Sequence, residues 1–222
     1  KTFKRIVNVP SPCGYSVRLN PVIEEIAKEL NLCVTYDNRS TAYITVKGSD
    51  SSGKVMIGAH ADTIGMIVSK IEDNGTLKMH SLGGVMYHSL EGETVYVYTR
   101  DGREYSGLVM ATSHSPHVFE DARSLPRDNK NMVVKLDMPV KNKEDVCALG
   151  ISNGDYISAE PHVCLTESGY LKSRFIDDKG SIACCFAALK YISDNKLTPS
   201  RDIVFAFPYY EEQGCGGTYI PD

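Results

Sequence analysis

The sequence predicts an α/β domain interrupted by a small β-barrel. Two apolar strands at 54–59 and 203–207, together with an Ala- and Leu-rich helix at 182–192, are typical of an α/β sheet covered by helices. The stretch from 67 to about 163 has a different sequence pattern, which predicts short strands at close intervals and turns rich in Asn, Asp and Gly. We therefore divide the chain into 1–66 and 164–222, which form the α/β domain, and 67–163, which form the inserted barrel.

The first part of the α/β domain contains one predicted helix and two predicted strands. Residues 20–30 have helical periodicity, with Asn20 as the candidate cap and Pro21 in the first turn. Strands at 42–47 and 54–59 are separated by a turn-rich segment, so we expect them to pair as a hairpin or to lie as neighbours. The helix at 182–192 has almost no polar residue and is predicted to be buried, including Cys184 and Cys185.

The predicted barrel is marked by its turns. Residues 73–75, 100–102 and 153–155 combine Asn or Asp with Gly, which is typical of hairpins. Residues 93–99 alternate with period two, as a half-buried strand does. His114 and His117 are spaced as metal ligands can be, but they lie in a charged stretch that favours an exposed loop.

Composition excludes several classes of protein. The chain has 222 residues, 42% of them hydrophobic, and a net charge of −4, so it can build a core but has no basic stripe for nucleic acid. It has no apolar stretch long enough to span a membrane and no signal-peptide core at its start, so we expect a cytoplasmic protein. Its seven cysteines are an odd number without a C-x-x-C pair, which argues against a disulfide framework.

Polar residues stand at three places where strands end or a helix begins. Glu211 and Glu212 follow the strand at 203–207, and His60 and Asp62 follow the strand at 54–59. Asp177 and Asp178 lie where the apolar helix begins. Each has an ordinary interpretation: a solvated turn, a structural histidine, or carboxylates at a helix N-terminus.

Taken together, these residues predict a metal site at one edge of an α/β sheet. Imidazole and carboxylate ligands without thiolates suit zinc, cobalt or manganese. Asp62 is close enough to His60 to accept its second N–H and fix its tautomer. A pair of metals polarises a carbonyl and lowers the pKa of a bridging water, so hydrolysis is the chemistry expected of such a site.

Four motifs in the same order resemble the tetrahedral aminopeptidases, the dizinc glutamyl and deblocking aminopeptidases of metallopeptidase family forty-two. They are the segments 10–15 (Pro-Ser-Pro-Cys-Gly-Tyr), 59–65 (Ala-His-Ala-Asp-Thr-Ile-Gly), 173–179 (Ser-Arg-Phe-Ile-Asp-Asp-Lys) and 211–214 (Glu-Glu-Gln-Gly). The resemblance covers nearly the whole chain. It implies a three-layer α/β/α zinc-peptidase domain with a PDZ-like barrel, peptide substrates, and a homo-oligomer, a dodecamer in the family, built through the barrel.

The resemblance also implies roles for individual residues. His60 resembles a terminal ligand of one of two divalent metals, zinc in the first place. Asp177 resembles the bridging carboxylate and Glu212 a terminal ligand of the other metal. Glu211 resembles the general base, and Asp62 the residue that orients His60.

Two observations leave alternatives open. Thr63 stands where the family commonly has Glu, and His-Ala-Asp-Thr is also typical of amide hydrolases of the carboxypeptidase and aminoacylase clan. That clan places its extra domain after the Glu-Glu pair, whereas here the insertion precedes Asp177. The family also has a further Asp ligand and a last His ligand to which no residue here corresponds. We therefore expect the chain alone to hold an incomplete site, either as a fragment of the enzyme or as a non-catalytic subunit.

Overall fold

The computed structural model describes residues 1–215, and these form two units. One unit consists of Lys1–Thr63 and the described part of the segment that begins at Pro161, and the other is Ile64–Glu160. The sequence prediction places the corresponding junctions after residues 66 and 163. Within residues 1–215, no helix combines the length and the apolar character needed to cross a bilayer.

The helices and strands follow in chain order. The helices are α1 (Thr2–Val7), α2 (Leu19–Glu29), α3 (Lys143–Ala148) and α4 (Ile176–Asp194). The strands are β1 (Val34–Tyr36), β2 (Ala42–Val46), β3 (Asp50–Gly58), β4 (Gly65–Ile71), β5 (Leu77–Leu82), β6 (Thr94–Tyr98), β7 (Glu104–Ala111), β8 (Met132–Leu136), β9 (Tyr156–Ala159), β10 (Cys164–Leu165), β11 (Leu171–Lys172) and β12 (Arg201–Phe207). Short 3₁₀ turns are formed by Tyr87–Ser89 and Glu211–Gln213.

The sheet of the first unit has the order β1-β2-β12-β3. Strand β12 is antiparallel to β2 and parallel to β3. The prediction that β2 and β3 pair or lie side by side is therefore wrong, because β12 enters between them. The apolar β12 buries Phe205, Ala206 and Phe207 and has both of its edges bonded, as suits a central strand.

Helices α1, α2 and α4 and the sheet all contribute apolar side chains to the core of this unit. Its members include Ile6, Ile23, Ile44, Phe186 and Phe207. The rings of Phe186 and Phe207 lie 5.7 Å apart between centroids, which joins α4 to the central strand. The sheet and the helices are thus held by one contiguous apolar cluster.

Two details of the predicted helices are wrong. Helix α4 buries only one face, with Ile182, Phe186 and Leu189 inside while Cys184 is exposed. Helix α2 begins one residue before Asn20, so Asn20 is not its cap. The Asn20 side chain instead accepts a hydrogen bond from the hydroxyl of the buried Tyr209 at 2.9 Å.

The second unit is a closed antiparallel barrel of six strands in the order β4-β5-β8-β7-β6-β9. The turns at 73–75 and 100–102 are confirmed as hairpins, with Gly75 and Gly102 at positive φ. The turn at 153–155 instead joins α3 to β9, so its prediction as a hairpin is wrong. His114 and His117 are exposed in the segment between β7 and β8, outside any helix or strand.

Candidate metallopeptidase site

The site lies where two parallel strands end together. Past the end of β3, the Ala59 N–H donates to Ala206 at 3.1 Å and the Ala61 N–H donates to Pro208 at 2.8 Å. These bonds continue the pairing of β3 with β12 beyond the strands themselves. Because parallel strands end at the same edge of a sheet, the turn that holds His60 is brought beside the turn that holds the Glu pair.

Asp62 joins these two turns from inside the protein. Its side chain is fully buried, and its two carboxylate oxygens accept hydrogen bonds from the Glu211 N–H at 3.3 Å and the Glu212 N–H at 3.1 Å. Tyr210 has φ of 78°, which turns the chain into the 3₁₀ turn that presents both amides. The carboxylate of Asp62 therefore fixes the main chain of the Glu pair.

The two ring nitrogens of His60 have different partners. Nδ1 lies 3.0 Å from the main-chain oxygen of Asp62 and 3.4 Å from its carboxylate. Since a carbonyl oxygen only accepts, Nδ1 carries a proton. Nε2 is a donor when the ring is charged and carries the lone pair when the ring is neutral. Nε2 lies 2.9 Å from Asp177 Oδ1 and 3.6 Å from Glu211 Oε2. The nitrogen available to a ligand thus faces two carboxylates.

Asp177 reaches His60 from the start of α4. The dihedral angles of Asp177 and Asp178 are not helical, and regular helix begins after them. The Asp177 side chain is 87% exposed and contacts His60 rather than a main-chain N–H of its own helix. The interpretation of Asp177 as a capping residue therefore does not account for its position.

Among the side chains in contact at this site, carboxylates outnumber cationic groups. Burial raises the pKa of Glu212, and the nearby carboxylates of Asp62, Asp177 and Glu211 raise it further against the opposing effect of His60. Burial disfavours the charged form of His60, but its hydrogen bonds to Asp62 and Asp177 prevail and raise its pKa to about 9. The neighbouring carboxylates thus favour the protonated form of both groups.

The donor chemistry fits a divalent metal, whereas the number of ligands is incomplete. One imidazole and several carboxylates are the donors that zinc, cobalt and manganese accept. Within residues 1–215, however, no three His, Cys, Asp or Glu side chains converge in an arrangement that could hold a metal ion. The described residues thus do not by themselves form a complete metal site.

Three buried residues around the site had no role in the sequence analysis. Ser11 donates its hydroxyl proton to Ala61 O at 2.7 Å, and Lys179 donates to the main-chain oxygen of Val9. Burial, followed by the charge of Asp62, raises the pKa of Cys13 to about 12, so it stays a neutral thiol. Two signals in the sequence could have pointed to these residues: the first motif, which holds Ser11 and Cys13, and a lysine at the start of an apolar helix.

Comparison with known proteins identifies the family. The M42 glutamyl aminopeptidase family matches residues 40–221. YhfE of Bacillus subtilis (strain 168) is 35% identical over 215 residues, which are 97% of this chain and 62% of YhfE.

Solved structures have the same fold. Aminopeptidase APDkam598 from the archaeon Desulfurococcus kamchatkensis has a TM-score of 0.84 at 29% identity, over 96% of this chain and 56% of its own. The Pyrococcus horikoshii TET1 peptidase has a TM-score of 0.81 at 24% identity, over 96% of this chain and 61% of its own. The chain spans 62% and 61% of the length of the first two curated relatives that it matches.

The family match includes three of the four motifs, those at 59–65, 173–179 and 211–214. The motif at 10–15 lies outside the matched residues. The match also spans Thr63, and a match to this family favours it over the carboxypeptidase and aminoacylase clan. The chain belongs to the M42 glutamyl aminopeptidase family.

Proposed function

We propose that this chain supplies metal ligands and the general base of an aminopeptidase that removes N-terminal residues from peptides. The observation that carries the proposal is that Asp177 Oδ1 lies 2.9 Å and Glu211 Oε2 3.6 Å from His60 Nε2, beside a Glu pair held by the buried Asp62. The name of the matched family and that of APDkam598 support the same reaction.

The proposed cofactors are two divalent ions, zinc in the first place and cobalt or manganese as alternatives. His60 and Asp177 would hold one ion, and Asp177 and Glu212 the other. When bound, the ions polarise the scissile carbonyl and lower the pKa of a water molecule. Further ligands, an Asp and a His by resemblance to the family, are needed to complete both coordination shells.

The residues of the chain itself would divide the remaining work. Glu211 accepts the proton of the attacking water and later donates it to the leaving amine. Asp62 keeps the Glu211 main chain in place and holds the proton of His60 on Nδ1 through its carbonyl oxygen.

The variant E211Q tests the role of Glu211, with E167Q in the exposed loop between β10 and β11 as the matched control. The assay compares hydrolysis of a free and an N-acetylated peptide by zinc-loaded protein. We expect E211Q to lose about 10²- to 10⁴-fold in kcat, since general base catalysis contributes that much, while E167Q keeps wild-type rates. Full activity of E211Q would refute the assignment, and cleavage of the acetylated peptide would refute an aminopeptidase.

A second candidate function is that of a non-catalytic subunit or a fragment of such a peptidase. It is favoured by the incomplete ligand set within residues 1–215. Elemental analysis after incubation with zinc and removal of the excess decides between the two. Two tightly held ions per chain support the catalytic function, and none supports the second candidate.

We also propose a homo-oligomer built through the barrel. The TET1 peptidase of Pyrococcus horikoshii can assemble into a tetrahedron or a large octahedral shell. A dodecamer is the assembly that the resemblance implies. Light scattering after size exclusion gives the mass of the particle in solution, and a monomer at micromolar concentration would contradict this proposal.

A further inference from the structure

A buried lysine, Lys179, lies two residues after Asp177. The side chain of Lys179 is 1% exposed, donates a hydrogen bond to the main-chain oxygen of Val9, and lies 5.9 Å from the ring centroid of Phe175. Burying a lysine head group costs free energy unless it is hydrogen-bonded, and an apolar side chain of similar length would fill the same space without that cost. Packing alone therefore does not explain a lysine at this position.

The acceptor of this hydrogen bond belongs to a short segment, residues 9–13, that runs beside the His60 turn. The Thr63 N–H donates to Ser11 O at 2.9 Å, and the Cys13 N–H donates to Thr63 O at 3.1 Å. The Ser11 hydroxyl donates at 2.7 Å to the main-chain oxygen of Ala61, the residue next to His60. Four hydrogen bonds thus connect helix α4 to the chain on both sides of Asp62: the one from Lys179 and these three.

We propose that Lys179 is a positioning residue of the site, which holds the start of α4, and with it Asp177, at a fixed distance from His60 through residues 9–13. The inference rests on the proposed function, because His60 and Asp177 matter there as ligands of one metal. Asp177 is largely exposed and meets His60 in a single contact of 2.9 Å. Its position is therefore set by the main chain that carries it, which Lys179 holds two residues further on.

The test compares K179M with K190M in the full chain. Met keeps the length and the apolar stem of Lys179 but cannot donate to Val9. Lys190 lies on the same helix with 63% of its side chain exposed, so K190M removes a lysine without touching the site. Three quantities are measured: the thermal unfolding temperature, the ¹⁵N resonances of the His60 ring in metal-free protein, and the dissociation constant for zinc.

We expect K179M to shift the His60 Nε2 resonance and to weaken zinc binding about 10- to 100-fold, the usual cost of losing a residue that orients a ligand. K190M should leave both at wild-type values. A K179M protein with a lowered unfolding temperature but an unchanged His60 resonance and zinc affinity would show a purely structural lysine and would overturn the proposal.

If K179M does not fold, S11A tests the same connection from its other end. It removes the hydroxyl that bonds Ala61 O and leaves a side chain of nearly the same volume. A shifted His60 resonance in S11A supports the proposal, and an unchanged one overturns it. Because this resonance is read without metal or substrate, a wild-type protein that binds no zinc and cleaves no peptide refutes the proposed function while leaving the positioning test intact.

Discussion

Replacing Asp62 with Asn tests whether a buried carboxylate holds the Glu pair. Both oxygens of Asp62 accept main-chain N–H groups, from Glu211 at 3.3 Å and from Glu212 at 3.1 Å. In D62N one of these acceptors becomes an NH₂ group that faces another donor. One hydrogen bond is then lost, and one buried N–H is left without an acceptor.

The expected cost follows from this loss. A hydrogen bond to a charged acceptor contributes about 1.5–3 kcal/mol, and the lower end applies because both bonds are long. The cost of leaving a partly buried donor unpaired, about 1–3 kcal/mol, describes the same loss and is not added to it. We therefore expect D62N to lower the free energy of unfolding by about 2 kcal/mol.

Urea unfolding gives this free energy, and hydrogen exchange of the Glu211 and Glu212 amides locates the effect. We expect the exchange of both amides to accelerate in D62N. The matched control is D37N, since Asp37 accepts the main-chain N–H groups of Arg39 and Thr41, both at 2.9 Å, away from the site. Both amides bond the same oxygen, Oδ1, which asparagine retains, so D37N should leave exchange at the Glu pair unchanged. If D62N unfolds like the wild type and its Glu212 amide exchanges no faster, the reasoning is wrong.

Three further predictions concern the α/β unit. The buried hydroxyl of Thr63 has no hydrogen-bond partner among residues 1–215, so T63V should raise the free energy of unfolding by about 1 kcal/mol. T41V should lower it, because the Thr41 hydroxyl bonds the carboxylate of Asp37. Calorimetry of both variants checks the opposite signs. Hydrogen bonds from the Gly48 N–H and neighbouring side chains hold the pKa of Asp202 at about 2, below its ordinary value of 3.8. Its contribution to stability is therefore complete above pH 3.8 and is lost as pH falls towards 2, so acid unfolding of D202N should be less steep in this window, and an identical slope would contradict the assignment. A Cβ at Gly48 would lie 2.2 Å from a main-chain carbonyl carbon, so G48A should cost about 3 kcal/mol in urea unfolding, while G58A, with nothing within 4 Å, should be free of this clash.

Features that depend on local chain geometry were predictable. Gly75 and Gly102 sit at positive φ in the turns where Asn or Asp precedes Gly, because few other residues adopt that conformation without strain. The alternation in residues 93–99 corresponds to β6, whose side chains alternate between the inside and the outside of the barrel before Tyr98. Each of these signals is contained within a few neighbouring residues.

Features that depend on distant partners were not predictable. Strand β12 enters between β2 and β3 although about 150 residues separate it from them, as the contact from Lys47 to Asp202 across 155 positions shows. No local pattern encodes that choice, since an apolar strand can pair on either edge. Cys184 was predicted to be buried for the same reason: composition does not tell which face of an apolar helix meets a partner.

By itself, the sequence determined which chemical groups the site offers and that they follow strands or open a helix, because residue type and periodicity are local properties. The tertiary structure decided which atoms meet. It turned the carboxylate of Asp62 towards the amides of the Glu pair, left its carbonyl oxygen for His60, and brought Lys179 to Val9 across 170 positions of the chain. Such contacts are decided by packing, because a buried donor or acceptor must find its partner among whatever the fold places beside it.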